Sequence, residues 1–72
     1  MVTVRLFAAA REAAGTDHLE VAAGPLVLPD LGPRFAQVAT ICTLLCDGER
    51  VALGDEVRDG AVVDVLPPFA GG

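Results

Sequence analysis

The chain has 72 residues, 53% of them hydrophobic, and its ten acidic residues against five arginines give a net charge of −5. This length fits one small domain, and the acidic balance argues against nucleic-acid binding, which uses basic patches. No apolar run approaches the ~20 residues that span a bilayer and no signal peptide is visible, so we expect a cytoplasmic protein without membrane contacts.

The first segment alternates apolar and polar residues over 2–7, which predicts a strand with one buried face. Its core-facing residues are predicted to be Val2, Val4 and Leu6. Phe7 falls on the polar face, where it is either exposed for contact with a partner or covered by the segment that follows. The alanine-rich run 8–14 predicts a short helix that ends at Gly15, a favourable C-cap.

Residues 17–22 alternate again and predict a strand that pairs antiparallel with the first one. His18 lies on its polar face beside acidic residues, so we expect a solvated rather than a catalytic side chain. Residues 24–25, Gly-Pro, predict a loop. A first-turn proline and apolar residues at helical spacing then predict a helix over 33–41 that covers the sheet, with at most one turn over 28–31 before it.

Residues 43–46 predict a third strand, and the Asp-Gly pair at 47–48 predicts a tight turn. Residues 50–53 are predicted to be a short extended piece, turn signals flank Val57, and the last strand is predicted over 61–66. Because the first and last strands are the most apolar, we expect them to be parallel neighbours at the centre of the sheet. The predicted fold class is α+β, a roll with a mixed four- to five-stranded sheet and one main helix.

The two cysteines, Cys42 and Cys46, do not predict a metal or redox site. His18 is the only histidine, so a zinc site with four ligands is not available. On a strand the two thiols would lie about 13 Å apart, beyond disulfide reach, and on a helix they would be adjacent. We expect buried free thiols in a reducing compartment.

Motifs of a free-standing enzyme are absent from the sequence. There is no Gly-rich phosphate loop followed by lysine, and the chain contains no serine that could act as a nucleophile. A domain of this size without insertions is not expected to enclose a small-molecule site of roughly 300 Å³ or more. We therefore expect a protein that is not an enzyme on its own and that binds no cofactor.

The end of the chain has the pattern of a presented tail. Two prolines at 67–68 stop sheet pairing and favour an extended backbone, so we expect residues 1–66 to form the domain and 67–72 a flexible tail. The last four residues reach about 13 Å when extended. They are Phe69, Ala70, Gly71 and Gly72. The two glycines fit a channel too narrow for a side chain, although a frayed terminus is the alternative interpretation.

The terminal carboxylate of Gly72 suggests how such a tail acts. A carboxylate is a poor electrophile, but transfer onto adenylate gives a mixed anhydride from which AMP leaves readily, so that sulfur can attack. The enzyme that performs this step must supply the ATP site and the electrostatic stabilisation. The chain is then a substrate that only has to reach into another protein.

The sequence resembles the small sulfur-carrier subunit of molybdopterin synthase, the MoaD type of the MoaD/ThiS family of ubiquitin-like β-grasp proteins. The likeness lies in VTVRLFAAAREAAGTDHLEV, in DGERVALGDEVRDGAVVDVL and in the ending LPPFAGG, which together cover roughly two-thirds of the chain. The ending is the most specific part. Its Pro-Pro step is similar to the MoaD type rather than to the ThiS type, which serves thiamine synthesis.

The resemblance implies a pathway and a set of partners. It implies that Gly72 is adenylated by a MoeB-type, ubiquitin-activating-like adenylyltransferase that uses ATP. A cysteine desulfurase or rhodanese-like protein then supplies the sulfur of a thiocarboxylate. The tail residues 69–72 are implied to thread into a MoaE-type large subunit, where the sulfur is donated to precursor Z for molybdenum cofactor biosynthesis. The implied partner interface consists of Phe7, Val51, Leu66, Pro67 and Pro68.

Two other functions stay open from the residues. The same fold and ending serve sulfur carriers for thiamine, cysteine or tRNA thiolation and modifiers conjugated to lysines. An interaction module with an inert tail is the other alternative. The high apolar content suggests that some of the surface contacts another protein. The negative charge either attracts a partner with a positive face or only keeps the domain in solution.

Overall fold

A five-stranded mixed sheet with helices on one face is the main feature of residues 1–68, the part of the chain that the computed structural model describes. The strands are β1 (Val2–Leu6), β2 (His18–Val21), β3 (Gly24–Pro25), β4 (Thr43–Cys46), β5 (Glu49–Val51), β6 (Glu56–Val57) and β7 (Val62–Leu66), and the helices are α1 (Ala8–Ala14) and α2 (Pro33–Ile41). Strands β3 and β6 form a separate two-stranded ribbon. The architecture confirms the predicted α+β, β-grasp roll.

The main sheet has the strand order β2-β1-β7-β4-β5. Strands β1 and β7 run parallel at its centre, with Val4 opposite Val63. The other neighbouring pairs of this sheet are antiparallel. The expected parallel pairing of the first and last strands is therefore confirmed. Its physical basis is that central strands, which have neighbours on both sides, favour apolar, β-branched residues.

The core lies between this sheet and the helices. Val4, Val63 and Val65 are fully buried, and Phe35 of α2 is 2% exposed against them. Burying each such side chain stabilises the fold by about 1.5–3 kcal/mol before conformational entropy is counted. The three residues of β1 that were predicted to face the core are all buried, namely Val2, Val4 and Leu6.

Helix α1 has the predicted bounds and ends at the predicted cap. Gly15 adopts a left-handed conformation with a φ of 78°, and its N–H donates to the carbonyl oxygen of Arg11 at 3.0 Å. Seven residues are too few for a stable isolated helix. Burial of Ala10 in the core supplies the tertiary packing that holds α1 in place.

Helix α2 also has the predicted bounds. It begins at Pro33, where the missing N–H of proline leaves no hydrogen bond unmade. Phe35 and Val38 point towards the core, so the helix covers the sheet as expected. Residues 28–31 contain no helical turn. Within the described part of the chain, no helix is long and apolar enough to cross a membrane.

The β3–β6 ribbon corrects two predictions. Residues 24–25 were predicted to be a loop, and Glu56–Val57 to lie among turns, but they pair antiparallel. Two further hydrogen bonds extend the ribbon beyond Pro25. The N–H of Leu26 donates to the carbonyl oxygen of Asp55 at 2.9 Å, and the N–H of Gly54 donates to the carbonyl oxygen of Leu26 at 2.9 Å. Such pairing between residues about 30 positions apart leaves no local pattern. Strand β5 likewise begins one residue before the predicted extended piece and ends two residues earlier.

Candidate functional site

One face of the main sheet is not covered by the helices and is called the outer face below. It consists of the residues of β1, β7 and β4 that alternate with the buried ones, and all of them are exposed or half-buried. They are Thr3, Arg5, Thr43, Leu45, Val62, Asp64 and Leu66. Alternation along a strand sends neighbouring side chains to opposite faces, so the burial of the core residues fixes this set.

Two of the predicted interface residues meet at one end of the outer face. Phe7 follows Leu6, whose partner on β7 is Val65, so Phe7 comes to the level of Leu66. Phe7 is 36% exposed, which decides between the two interpretations of this residue in favour of exposure. Leu66 is half-buried at the end of β7, directly before the prolines. Together they form an apolar edge where the chain leaves the sheet.

Val51 does not belong to this edge. It lies opposite Leu44 on β4, and that residue is 7% exposed on the core face. Directly opposed residues share a face, so the side chain of Val51 packs against the core rather than on the outer face. The outer position of β5 is Arg50, which lies opposite Leu45. Val51 therefore lies on the opposite face of the sheet from Phe7 and Leu66, and its role in a partner interface stays a prediction.

The two prolines after β7 differ in their environment. Pro67 is buried and Pro68 is exposed, so packing of the domain continues one residue beyond the predicted boundary at 66. Of the predicted interface residues, Pro67 has the least surface to offer a partner. The tail residues predicted to thread into a partner lie outside the described residues. They are Phe69, Ala70, Gly71 and Gly72, the last being the predicted thiocarboxylation site.

An ion pair between Arg5 and Asp64 occupies the middle of the outer face. The Nε and Nη2 atoms of Arg5 donate to Oδ1 and Oδ2 of Asp64 at 2.6 and 2.9 Å. This bidentate hydrogen bonding, together with the Coulomb attraction of Asp64, raises the pKa of Arg5. The guanidinium carbon also lies 5.9 Å from the centroid of the Phe7 ring, within cation–π range.

Alternation along the first strand puts Arg5 on its polar face, but the pair with Asp64 was not predicted. The signal was available in principle, because parallel pairing of the first and last strands brings Arg5 opposite Asp64 once the register is known. The register itself is a tertiary property, and alternation alone does not fix it between two strands that are 60 residues apart.

His18 is solvent-exposed, as predicted. Its Nδ1 lies 2.7 Å from Oδ1 of Asp17, and this contact lowers the pKa of Asp17. The hydroxyl of Thr16 donates to the backbone carbonyl oxygen of His18 at 3.1 Å. Within residues 1–68, no group of three His, Cys, Asp or Glu side chains is arranged to hold a metal ion.

The cysteines are free thiols, but they are half-buried rather than fully buried. The Sγ atom of Cys42 donates to the carbonyl oxygen of Val38 at 3.2 Å. Burial raises the pKa of the Cys42 thiol, and burial together with the charge of Asp47 raises that of Cys46. Raised thiol pKa values suppress the reactive thiolate, so neither residue is arranged as a nucleophile.

An apolar cavity of about 380 Å³, called the helix-side cavity below, lies between α2 and residues 28–31. Its volume contradicts the expectation that the domain is too small for a pocket. Its polar groups are occupied within the chain, since Oδ1 of Asp30 accepts from the N–H of Gly32 and the hydroxyl of Thr40 donates to the carbonyl oxygen of Gln37. No set of polar groups converges on the cavity, so it offers apolar contact but no catalytic chemistry. Its apolar walls are Leu28, Leu31, Phe35, Ala36, Ala39 and Leu53.

A protein-family model and two solved structures show what this chain is similar to. The model of the ThiS family matches residues 4–72, which include the tail. The solved structure of SAMP1 from Haloferax volcanii superimposes with a TM-score of 0.72 at 25% identity, covering 99% of this chain and 98% of that one. Subunits 1 and 2 of molybdopterin-converting factor from Helicobacter pylori 26695, solved as a complex, include a chain with a TM-score of 0.69 at 21% identity, covering 99% of this chain and 97% of that one. The search of curated proteins returned no match.

Proposed function

This chain belongs to the ThiS family of small, non-catalytic, ubiquitin-like sulfur carriers, and we propose that it carries sulfur for molybdenum cofactor biosynthesis as the small subunit of a molybdopterin synthase. The family match, which runs through the last residue, Gly72, carries the sulfur-carrier part of the proposal. The Pro67-Pro68 step before the tail supports the molybdopterin branch, because it is similar to the MoaD type.

The proposed chemistry takes place at the α-carboxylate of Gly72. Attack of this carboxylate on the α-phosphate of ATP releases pyrophosphate and forms an acyl-adenylate. The outer sulfur of a persulfide on the desulfurase or rhodanese-like donor then attacks the acyl carbon and AMP leaves, which gives an acyl disulfide. A second thiol of the sulfur-donating system attacks the donor's own sulfur, so that the S–S bond of the acyl disulfide breaks, a disulfide forms between the two thiols, and the thiocarboxylate is released. In the large subunit the sulfur passes to precursor Z, and the carboxylate of Gly72 is regenerated. The adenylyltransferase and the large subunit supply the catalytic groups, and this chain supplies a tail without Cβ atoms at its last two positions.

The outer face supports docking next to the tail. Phe7 and Leu66 lie at the end of the sheet from which Pro68 leads towards the tail. An exposed aromatic ring beside a half-buried leucine is a typical anchor of a protein interface. The Helicobacter pylori structure contains both subunits of its own complex. By analogy, we place the MoaE-type subunit and the MoeB-type adenylyltransferase on this face in turn.

A second candidate is favoured by the likeness to SAMP1, which at 25% identity exceeds the 21% identity to the molybdopterin-converting factor chain. In that case the same activated Gly72 serves another sulfur pathway, or it is joined to lysines of target proteins. The activation step is shared by the two candidates. They differ in what receives the acyl group or its sulfur.

Reconstitution tests the proposal and separates the candidates. The thiocarboxylated chain is mixed with the large synthase subunit of the same organism and precursor Z, and molybdopterin is measured after oxidation to its fluorescent derivative. We expect one sulfur transferred per carrier, with the carboxylate form as the inactive control. Molybdopterin formation no higher than that of the control would contradict the molybdopterin assignment. Appearance of lysine conjugates in a cell extract would favour the second candidate.

A further inference from the structure

The Arg5–Asp64 pair supplies the charges on the three central strands of the outer face, whereas the outer positions of the edge strands β2 and β5 are His18, Glu20 and Arg50. Along β7, Asp64 lies between Val62 and Leu66, and on β4 it is opposite Leu45. Arg5 is the neighbour of Phe7 on the same face. The surface proposed to be covered by a partner therefore has an ion pair at its centre, next to the apolar side chains of Val62, Leu66 and Leu45.

Solvent limits what this pair contributes to the stability of the fold. The Arg5 side chain is 54% exposed, so water screens its charge, although Asp64 is only 22% exposed. Two apolar side chains at the same positions would bury more apolar area across β1 and β7. A role in recognition explains the choice of charged residues better than a role in stability.

The pair presents donors, not acceptors, to the outside. A guanidinium has five N–H groups, and Asp64 receives two of them, one from Nε and one from Nη2. Within residues 1–68, Arg5 makes no other side-chain hydrogen bond. Both oxygens of Asp64 are occupied, and its side chain is only 22% exposed. Towards the described residues, the outer face thus has three guanidinium N–H groups without an acceptor, in a pair whose two charges cancel.

We propose that Arg5 is a specificity-determining contact that receives a carboxylate from the activating adenylyltransferase when this enzyme docks over Phe7 and Leu66. The inference rests on the proposed function, because it takes the adenylyltransferase as the partner. An apolar surface placed over Arg5 would remove water from its free donors and leave them unpaired, which disfavours binding. A carboxylate restores those hydrogen bonds, so the pair admits the correct partner and rejects apolar ones.

The test measures the affinity of the full-length chain for the adenylyltransferase of the same organism by titration calorimetry. One variant, R5M/D64L, replaces the pair by apolar side chains of similar size. A second, R5D/D64R, keeps an ion pair but reverses its direction. The matched control is R34A, which removes an exposed arginine of α2 that contacts Glu12 at 3.5 Å, away from the outer face. Thermal unfolding of each variant verifies that it is folded.

Both double variants are expected to bind at least about tenfold more weakly than the wild type, and R34A within about twofold of it. Equal or tighter binding by R5M/D64L, or unchanged binding by R5D/D64R, would overturn the inference about Arg5. Binding of the wild type to the adenylyltransferase would still support the proposed function in that case. If one double variant fails to fold, the other gives the same decision. Failure of the wild type itself to bind the adenylyltransferase would overturn both proposals, so the two failures are distinguishable.

Discussion

Phe7 is the residue that we expect to contribute most to partner binding at the outer face. It is a large aromatic side chain that remains 36% exposed in a chain with only three aromatic residues. Aromatic anchors near the centre of an interface commonly supply a large share of its binding energy. Because the ring is exposed, its removal has little effect on the core, so binding and folding are separable at this position.

Phe7→Ala is therefore expected to weaken binding to the adenylyltransferase by about tenfold to a hundredfold, equivalent to about 1.4–2.8 kcal/mol. The melting temperature should change little. The matched control is Leu53→Ala, which removes another exposed apolar side chain, 57% exposed, from the wall of the helix-side cavity. Affinity is measured by calorimetry and stability by circular dichroism. An equal loss of affinity in both variants would show that the outer face is not the docking surface.

Asp47 connects the β4–β5 turn to the start of β7. Its Oδ1 accepts from the N–H of Val62 at 3.2 Å, and its Oδ2 accepts from Arg58 at 2.9 Å. These two hydrogen bonds lower the pKa of Asp47 in the folded state. A carboxyl group with a lowered pKa stabilises the fold above its unfolded pKa of about 4, and this contribution disappears as the pH falls through the folded value.

Asp47→Asn is expected to lower the melting temperature at pH 7, and the difference from the wild type should shrink as the pH falls below the unfolded pKa of about 4 and through the lowered folded value. Asparagine tolerates the positive φ of 48° at this position, so backbone strain does not confuse the comparison. Thermal unfolding of both proteins across this pH range measures the difference. A difference that stays constant with pH would show that the charge of Asp47 does not stabilise the fold.

At the scale of elements, β7 is the strand that joins the core to the outer face. Val63 and Val65 are fully buried, whereas Val62, Asp64 and Leu66 alternate with them on the other face. The same strand thus supplies central core contacts, one half of the Arg5 ion pair and the apolar edge beside the tail. A change of one residue in its register would exchange the two sets.

Two neighbouring substitutions test this division of β7. Val63→Ala creates a cavity in the core and is expected to destabilise the fold by about 2–3 kcal/mol. For a domain of this size, that corresponds to a fall in melting temperature of roughly 8–24 °C. Val62→Ala on the outer face should cost less than about 1 kcal/mol. Chemical denaturation measures both values, and equal losses would contradict the assignment of faces.

Elements with a local signal were predicted well from the sequence. The bounds of α1 and α2 follow from an alanine-rich run before a glycine and from a first-turn proline before helically spaced apolar residues. The β3–β6 ribbon was missed, because Gly24–Pro25 has the composition of a turn and becomes a strand only through pairing with a distant segment. Long-range pairing of this kind is decided by tertiary contacts.

The candidate site was predictable to a similar degree. Alternation along the first strand placed Phe7 on the outer face, and the structure confirms its exposure. Val51 faces the core side, which the sequence did not predict, since an offset of one residue in β5 decides which face a side chain occupies, and its interface role stays a prediction. The Arg5–Asp64 pair and the helix-side cavity both require the register and the packing of separate elements. Local patterns do not contain that information.

At the scale of the whole molecule, the domain presents a tail beside a docking face. Parallel pairing of β1 and β7 fixes the end of β7 in the middle of the sheet, next to Phe7. The outer face is close to electrically neutral, because the charges of Arg5 and Asp64 cancel. Acidic residues such as Asp47 and Asp59 lie in the turns near the start of β7. Docking therefore depends on local contacts, apolar at Phe7 and Leu66 and polar at Arg5, and the net charge of −5 acts at longer range.

The most direct test of the account is the intact mass of the chain after incubation with the adenylyltransferase, ATP and a sulfur donor. Replacement of one oxygen by sulfur at Gly72 should add about 16 mass units. A chain extended by one residue beyond Gly72 is the matched control, and it should keep its mass and its melting temperature. An unchanged mass of the wild type would contradict sulfur carriage, as would an equal gain in the extended chain.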